Sequence, residues 1–375
     1  MPSSRAGSDT PKTVRRIGLA ILVLAALFLA TFAIPIREWR TGEIAVPPLP
    51  LTGGRFFKLP AERLWIDTDA ACGIKRNVDV DDCFALLLLA RSGMHIAGVS
   101  TVFGNAPLDV TDQTTRELIA MVGSGALKPP PVYAGSATPL SDRGLATPSP
   151  AYAALHSALR QGPLTIVALG PLTNIAACLK DHPDLRNNVA GIVAVMGHRR
   201  GHLFHPAEGK GRSGFLFGHG PVFRDFNFAS DRAAVGSLME RHLPITTVPY
   251  DAAREISLDA ADLDRMSAAG GPAGWVASRS RGWLEYWKGQ VGLKGFYPFD
   301  LLAAAFVIEP GFFNCAKVDA WVARDPMFRW LPSPDSLIVG LHQERPRDIS
   351  ARAEVVYCPG IDSKLHDWLV DRLLK

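Results

Sequence analysis

The sequence predicts an α/β fold: an open, mostly parallel sheet with helices on both faces, preceded by an N-terminal transmembrane or signal helix. Three observations carry this reading. Short apolar, strand-like runs alternate with helix-like runs from Arg63 onward. Acidic and amide residues recur at the ends of the strand-like runs, where open parallel sheets bind their ligands. One long apolar run, from Ile17 to Ile36, stands apart near the amino terminus.

Taken in order, residues 1–16 form a polar tail ending in Lys12, Arg15 and Arg16. The apolar run 17–36 follows, and roughly 20 residues suffice to cross a bilayer. An uncleaved anchor is the favoured reading, because the run is long and no strong small-residue cleavage site ends it. A signal peptide cut near Thr31-Phe32-Ala33 is the alternative. The expected location is the cell inner membrane, single-pass, with the folded domain on the periplasmic or extracytoplasmic side; secretion after cleavage is the other outcome. Arg37 and Arg40 place positive charge on the far flank as well, so orientation rests on less than export does. Residues 37–60 carry Pro47, Pro48, Pro50 and Pro60 and read as a stiff linker. Residues 61–375 form the folded domain. Its expected strands are 63–67, 95–102, 164–169, 191–196 and 245–249. Its expected helices are 82–92, 108–123, 150–161, 173–181, 231–241 and 300–307. The Gly-, His- and Arg-rich stretch 199–224 reads as a long loop over the site edge.

Composition narrows the function classes. At 375 residues, 47% hydrophobic and 20% charged, the chain is globular rather than disordered. A net charge of +4 with no dense basic stripe gives no support to nucleic-acid binding. Five cysteines, Cys72, Cys83, Cys178, Cys315 and Cys358, are odd in number and lack a CxxC pair. They indicate neither a zinc site nor a disulfide framework, and at most one or two bridges in an oxidising compartment.

The chemistry-bearing residues begin with Asp67, Asp69, Asp81 and Asp82. Carboxylates converge only when something offsets their repulsion, and a hard divalent cation with oxygen ligands does so. The structural alternative is that Asp81 and Asp82 merely serve the N-terminus of the following helix. His198, His202, His205 and His219 lack zinc spacing and read as loop solvation. Trp275, Trp283 and Trp287 recur near helical spacing and read as core, with base stacking as the alternative. Thr173-Asn174 reads as a helix cap.

Asp67-Thr68-Asp69, Asp81-Asp82-Cys83-Phe84-Ala85-Leu86 and Ser100-Thr101-Val102-Phe103-Gly104-Asn105 together resemble the opening of the inosine–uridine preferring nucleoside hydrolase family. The resemblance continues through Ala168-Leu169-Gly170-Pro171-Leu172-Thr173-Asn174, Val195-Met196-Gly197, Arg224-Asp225-Phe226-Asn227-Phe228 and Phe299-Asp300. It implies a Rossmann-like nucleoside hydrolase fold, a Ca²⁺ cofactor and cleavage of ribonucleosides to free base and ribose. On this resemblance Asp69 is general base and metal ligand, activating a metal-bound water. Asp82, Asp300 and the Leu169 carbonyl complete the metal set. Asn105 joins Asp69 in catalysis and, with Asp81, Met196, His219, Asp225 and Asn227, binds substrate; Asp67 supports the site from behind. A homodimer or homotetramer is also implied.

Three departures stand out against that family. Residues 70–80 replace a short Pro-Gly turn. Phe299 stands where many members carry a histidine held to protonate the leaving base, which leaves Tyr297 and His219 as substitutes. Asp225 replaces the usual glutamate. A nucleoside- or ribose-binding member without efficient turnover is therefore a second reading, favoured by Phe299. A different metal-dependent hydrolase, such as an Asp-x-Asp phosphatase, is a third, although no phosphate-cradling loop is present.

Overall fold

A computed structural model describes residues 12–33, 46–59, 62–123, 129–142, 148–200, 225–324, 335–349 and 352–375. In chain order the strands are β1 (Thr52–Gly53), β2 (Arg63–Thr68), β3 (His95–Thr101), β4 (Val132–Ala134), β5 (Leu164–Ala168), β6 (Val189–Ala194), β7 (His198–Arg199), β8 (Ile245–Thr247), β9 (Phe313–Arg324), β10 (Asp335–Gly340) and β11 (Ala353–Ile361). The helices are α1 (Lys12–Ala33), α2 (Asp81–Ala90), α3 (Leu108–Val122), α4 (Pro150–Arg160), α5 (Thr173–Asp181), α6 (Phe226–Ser230), α7 (Arg232–Met239), α8 (Tyr250–Ala253), α9 (Ala260–Ala269), α10 (Gly271–Tyr286), α11 (Phe299–Ile308) and α12 (Leu365–Leu374).

The strands form one sheet in the order β4-β3-β2-β5-β6-β8-β11-β9-β10-β7, with β1 paired to β9. From β4 to β11 every neighbouring pair is parallel. Such strands are buried on both faces, which is why Leu64-Trp65-Ile66 and Leu164-Thr165-Ile166-Val167-Ala168 are near-continuous buried runs. Beyond β11 the sheet turns antiparallel through β9 and β10, and a disulfide joins Cys315 on β9 to Cys358 on β11. The expected strands and helices all form, within a few residues of their expected ends. The antiparallel extension, β4 and helices α9, α10 and α12 lie outside that expectation.

Two hydrophobic cores flank the sheet. Phe84, Leu86, Leu301, Phe306 and Trp287 pack on one face; Leu155, Ile175, Leu179, Leu238 and Tyr357 pack on the other. Beyond the acids of their first turns, helices α2 and α11 are apolar throughout their buried length and lie against each other in the first core. That packing brings both helix N-termini to the carboxyl edge of the sheet.

Helix α1 occupies the segment read as anchor or leader. Among the described residues, however, no helix is long and apolar enough to cross a membrane. Side chains in α1 are described for residues 17–27, where Ile17, Leu22 and Leu24 are exposed. The described residues thus do not carry the membrane-spanning expectation. Residues 46–59, part of the expected linker, lie against the domain: β1 pairs with β9, and Arg199 donates to the Pro47 carbonyl at 3.0 Å.

Candidate active site

Asp67 and Asp69 stand at and just beyond the carboxyl end of β2, Asn105 follows β3, Leu169 follows β5, and Met196 follows β6. Asp81 and Asp82 open α2, and Asp300 lies in the first turn of α11. Both helix N-termini point positive partial charge at the cluster, which favours carboxylates there. Ligand oxygens of Asp81, Asp82 and Asp300 lie within 4.8 Å of one another, and all three residues are buried.

The hydrogen bonds explain how the acids are held. Asp82 Oδ1 accepts from the Thr68 hydroxyl at 2.5 Å and from the Asp69 amide at 3.2 Å. The Asp300 amide donates to Asp81 Oδ2 at 2.8 Å, locking the starts of α2 and α11 together. Asn105 bridges two carboxylates: its side-chain amide donates to Asp82 Oδ2 at 3.0 Å and to Asp69 Oδ1 at 3.4 Å. Its backbone N–H donates to Asp69 Oδ2 at 2.8 Å. A side chain on the neighbouring Gly104 would collide with the Asp69 carboxylate.

Burial lifts the pKa of Asp69 and Asp300 well above the usual carboxylate value, and mutual repulsion adds to it. Asp82 is lifted to about 6, first by burial and then by the charge of Asp81. One oxygen of Asp300 is buried without a hydrogen-bond partner. Such an orphan is costly unless a cation or a proton meets it. An all-oxygen donor set of three carboxylates suits a hard divalent ion, so the residues fit a bound metal.

Asp67 lies behind this cluster. Its Oδ1 accepts from Ser100 and, at 2.8 Å, from the Asn174 side chain, while Oδ2 has no partner. Asn174 also donates to the Thr101 carbonyl at 3.0 Å and accepts from the Ser136 amide. Thr173 donates to Asp231 at 2.6 Å. The Thr173-Asn174 pair therefore clamps β2, β3 and α7 rather than capping α5, whose N-cap is Leu172 without a side-chain bond.

A cavity of about 320 Å³ opens over the acids, lined among others by Asp81, Asn105, Leu169, Met196, Asp225, Asn227 and Asp300. Asn227 donates to the Leu169 carbonyl at 2.7 Å and to the Val195 carbonyl at 3.2 Å. Asp225 accepts from the Gly197 amide at 2.7 Å and the Phe228 amide at 3.2 Å. The shorter acid thus holds two backbone segments and caps α6. Tyr250, Trp283 and Phe299 add aromatic rings to the lining. Tyr250 and Phe299 are stacked, with ring centroids 6.3 Å apart.

Of the expected site residues, Asp81, Asn105, Leu169, Met196, Asp225, Asn227 and Asp300 line this cavity, whereas Asp69 and Asp82 are fully buried, are not among its lining residues, and touch it through Asn105. His219, together with His202 and His205, lies outside the described residues. His198 is buried in β7 rather than solvated in a loop. Tyr297 is not among the cavity-lining residues; it packs edge-on against Trp287 at 4.9 Å. Trp283 and Trp287 are buried as expected, and Trp283 also lines the cavity, while Trp275 lies under the Arg279 guanidinium. Asp81 joins Asp82 and Asp300 in the close trio, where Asp69 was expected; Asp69 is coupled to it through Asn105. Sequence reasoning missed Tyr250 and Asn77–Asp79 as lining residues. Tyr250 directly follows Pro249 at a strand end, a position that marked the other site residues.

A buried acidic trio beside a cavity of polar and aromatic lining, at the carboxyl edge of a mostly parallel sheet, fits a metal-assisted hydrolase of small ligands. The chain matches the family model "Inosine-uridine preferring nucleoside hydrolase" over residues 64–339 and belongs to that family of N-glycosyl hydrolases. It is 26% identical over 269 residues to the pyrimidine-specific ribonucleoside hydrolase RihA of Citrobacter koseri, covering 64% of this chain and 80% of the relative. The RihA of an Enterobacter species is 28% identical over 269 residues, covering 64% and 79%. Among solved structures, the plant nucleoside hydrolase PpNRh1 superposes with a TM-score of 0.64 at 17% identity, covering 84% of this chain and 99% of that one. The inosine-uridine preferring nucleoside hydrolase of Bacillus anthracis gives 0.57 at 16% identity, covering 84% and 99%. At those identities the superpositions speak for the fold.

Proposed function

We propose that the chain hydrolyses the N-glycosidic bond of ribonucleosides with Ca²⁺ as its cofactor, Asp69 taking the proton of the attacking water. The observation that carries this is Asn105, which lines the cavity beside Asp81 and Asp300 and ties the buried Asp69 to Asp82 of the acidic trio. When bound, the cation offsets the carboxylate charge and lowers the pKa of a coordinated water. The chain's own residues then act as follows. Asn105 fixes both oxygens of Asp69 and so orients the carboxylate that would take the proton of the attacking water. Asp81, Asn105 and Asn227 present acceptors and donors to the sugar hydroxyls. As the C–N bond breaks, its electron pair leaves with the base, and the surrounding carboxylates stabilise the positive charge developing on the ribose. The water oxygen bonds to C1′, Asp69 holds its proton, and the departing base takes a proton from solvent. Tyr250, Trp283 and Phe299 supply ring faces against which a flat base packs.

The test is incubation of the purified chain with inosine, uridine, cytidine and p-nitrophenyl riboside, with and without chelator. Base release that stops on chelation and returns with Ca²⁺ is the expected outcome; phosphate release from nucleotides instead would defeat the proposal. Phe299 favours a second reading, in which nucleosides bind without efficient turnover. Tight binding with hydrolysis of the activated riboside alone would support it.

An extracytoplasmic location is part of the proposal. Its support is the pair of disulfides, Cys72–Cys83 and Cys315–Cys358, and the exposed apolar residues of α1.

A further inference from the structure

Residues 70–80 connect the two catalytic acid motifs, and they form a docked wall rather than a free lid. The Cys72–Cys83 disulfide staples the segment to α2, one residue beyond Asp82. Gly73 has a φ of +81° and sits so close to Arg279 of α10 that a side chain there would strike it. Arg76 donates to the Glu285 carbonyl at 3.1 Å, and its Cα lies where a side chain on Gly282 would meet it at 3.3 Å. The segment is thus moulded to α10, the helix that also supplies Trp283 to the cavity.

From this seat the chain descends the cavity wall from rim to floor. Asn77 is exposed at the rim, Val78 is half-buried, and Asp79 reaches the acids, its Oδ1 accepting from the amides of Val80 at 2.7 Å and Asp81 at 3.3 Å. The sugar end of the cavity is defined by Asp81, Asp300 and Asn227. Asn77 and Val78 directly follow Arg76, which packs against Gly282, the neighbour of Trp283. Val78 offers an apolar surface suited to the face of a flat ring, and Asn77 offers one amide donor pair and one acceptor suited to its edge.

We propose that Asn77 and Val78, held in place by the stapled segment, determine which nucleobase the site accepts. The inference rests on the nucleoside hydrolase reading above. Rigid presentation matters because a polar group that complements one base edge discriminates only if it is left unpaired by another.

The test compares the full chain with Asn77→Ala and Val78→Ala on uridine, cytidine, inosine and p-nitrophenyl riboside. The expected result for Asn77→Ala is a change of about tenfold in the ratio of kcat/KM between at least two nucleosides, carried mainly by KM. Val78→Ala should raise KM for the nucleosides unequally. A parallel fall on all four substrates, or no change, would overturn the inference. If the parent chain hydrolyses none of them, the functional reading fails by itself. The inference is then decided by calorimetric affinities of the three nucleosides, where equal shifts in parent and variants, or binding by neither, overturn it.

Discussion

Asp69 has both carboxylate oxygens fixed by a single neighbour, Asn105. Asp69→Asn removes the proton acceptor at nearly constant volume. It should lower turnover by about 10²–10⁴-fold, the usual span of general-base catalysis, with an unchanged circular dichroism spectrum. Phe299 is a residue whose chemistry argues in the other direction, because a phenyl ring cannot donate a proton to a departing base. Phe299→His should raise inosine turnover about tenfold or more relative to p-nitrophenyl riboside, whose leaving group needs no protonation. Asp67 bears on stability. Burial lifts it from 3.8 to about 7, against hydrogen bonds from Asn174 and Ser100. Between those values the folded chain holds a proton that the unfolded chain has lost. Its contribution is therefore complete below pH 3.8 and disappears as pH rises towards 7, a change on the order of 4 kcal/mol. Asp67→Asn should flatten that part of the stability–pH curve, measured by urea unfolding with chelator present; an unchanged slope would refute it.

At the scale of elements, the site is made where α2 and α11 begin. Their acids were legible because Asp81-Asp82 and Asp300 each head an apolar run, and apolar runs that long must be buried. The Asn174 clamp was not legible, since Asn at a helix start has the same sequence signature whether it caps locally or reaches another strand. The wall formed by residues 77–79 was hidden for a similar reason: nothing in Ala70–Val80 shows that the segment packs on α10, some 200 residues onward. The disulfide that staples it is a pair 11 residues apart, with no spacing signature of its own. Mild reduction should release this wall. We expect nucleoside KM to rise while p-nitrophenyl riboside is affected less, as read in parallel assays with and without reductant.

For the molecule as a whole, the parallel half of the sheet was readable from strand–helix alternation, because parallel strands need crossovers and crossovers leave a rhythm in the sequence. The antiparallel half was not. Among the described residues no α-helix separates strands β9, β10 and β11, and β11 takes its place only by long-range pairing with β8 and β9. The Cys315–Cys358 bridge crosses this region and closes a loop of 43 residues. Chain-entropy arguments assign such a closure about 4 kcal/mol, so replacing both cysteines by serine should lower unfolding stability by an amount of that order. Cation binding acts on the same scale. Saturating Ca²⁺, at about 100 times Kd, should add about 2.7 kcal/mol over the chelated protein, and a melting temperature indifferent to chelator would count against a metal at the trio.

The seat of β11 has a consequence for how the protein is made. The strand that joins the two halves of the sheet is synthesised roughly 100 residues after β8, which waits through that interval with a bare, sticky edge. A premature stop shortly before residue 353 would leave that edge permanently open, even though every acid of the cluster had already been synthesised. Such a fragment should be recovered as aggregate, while the complete chain folds.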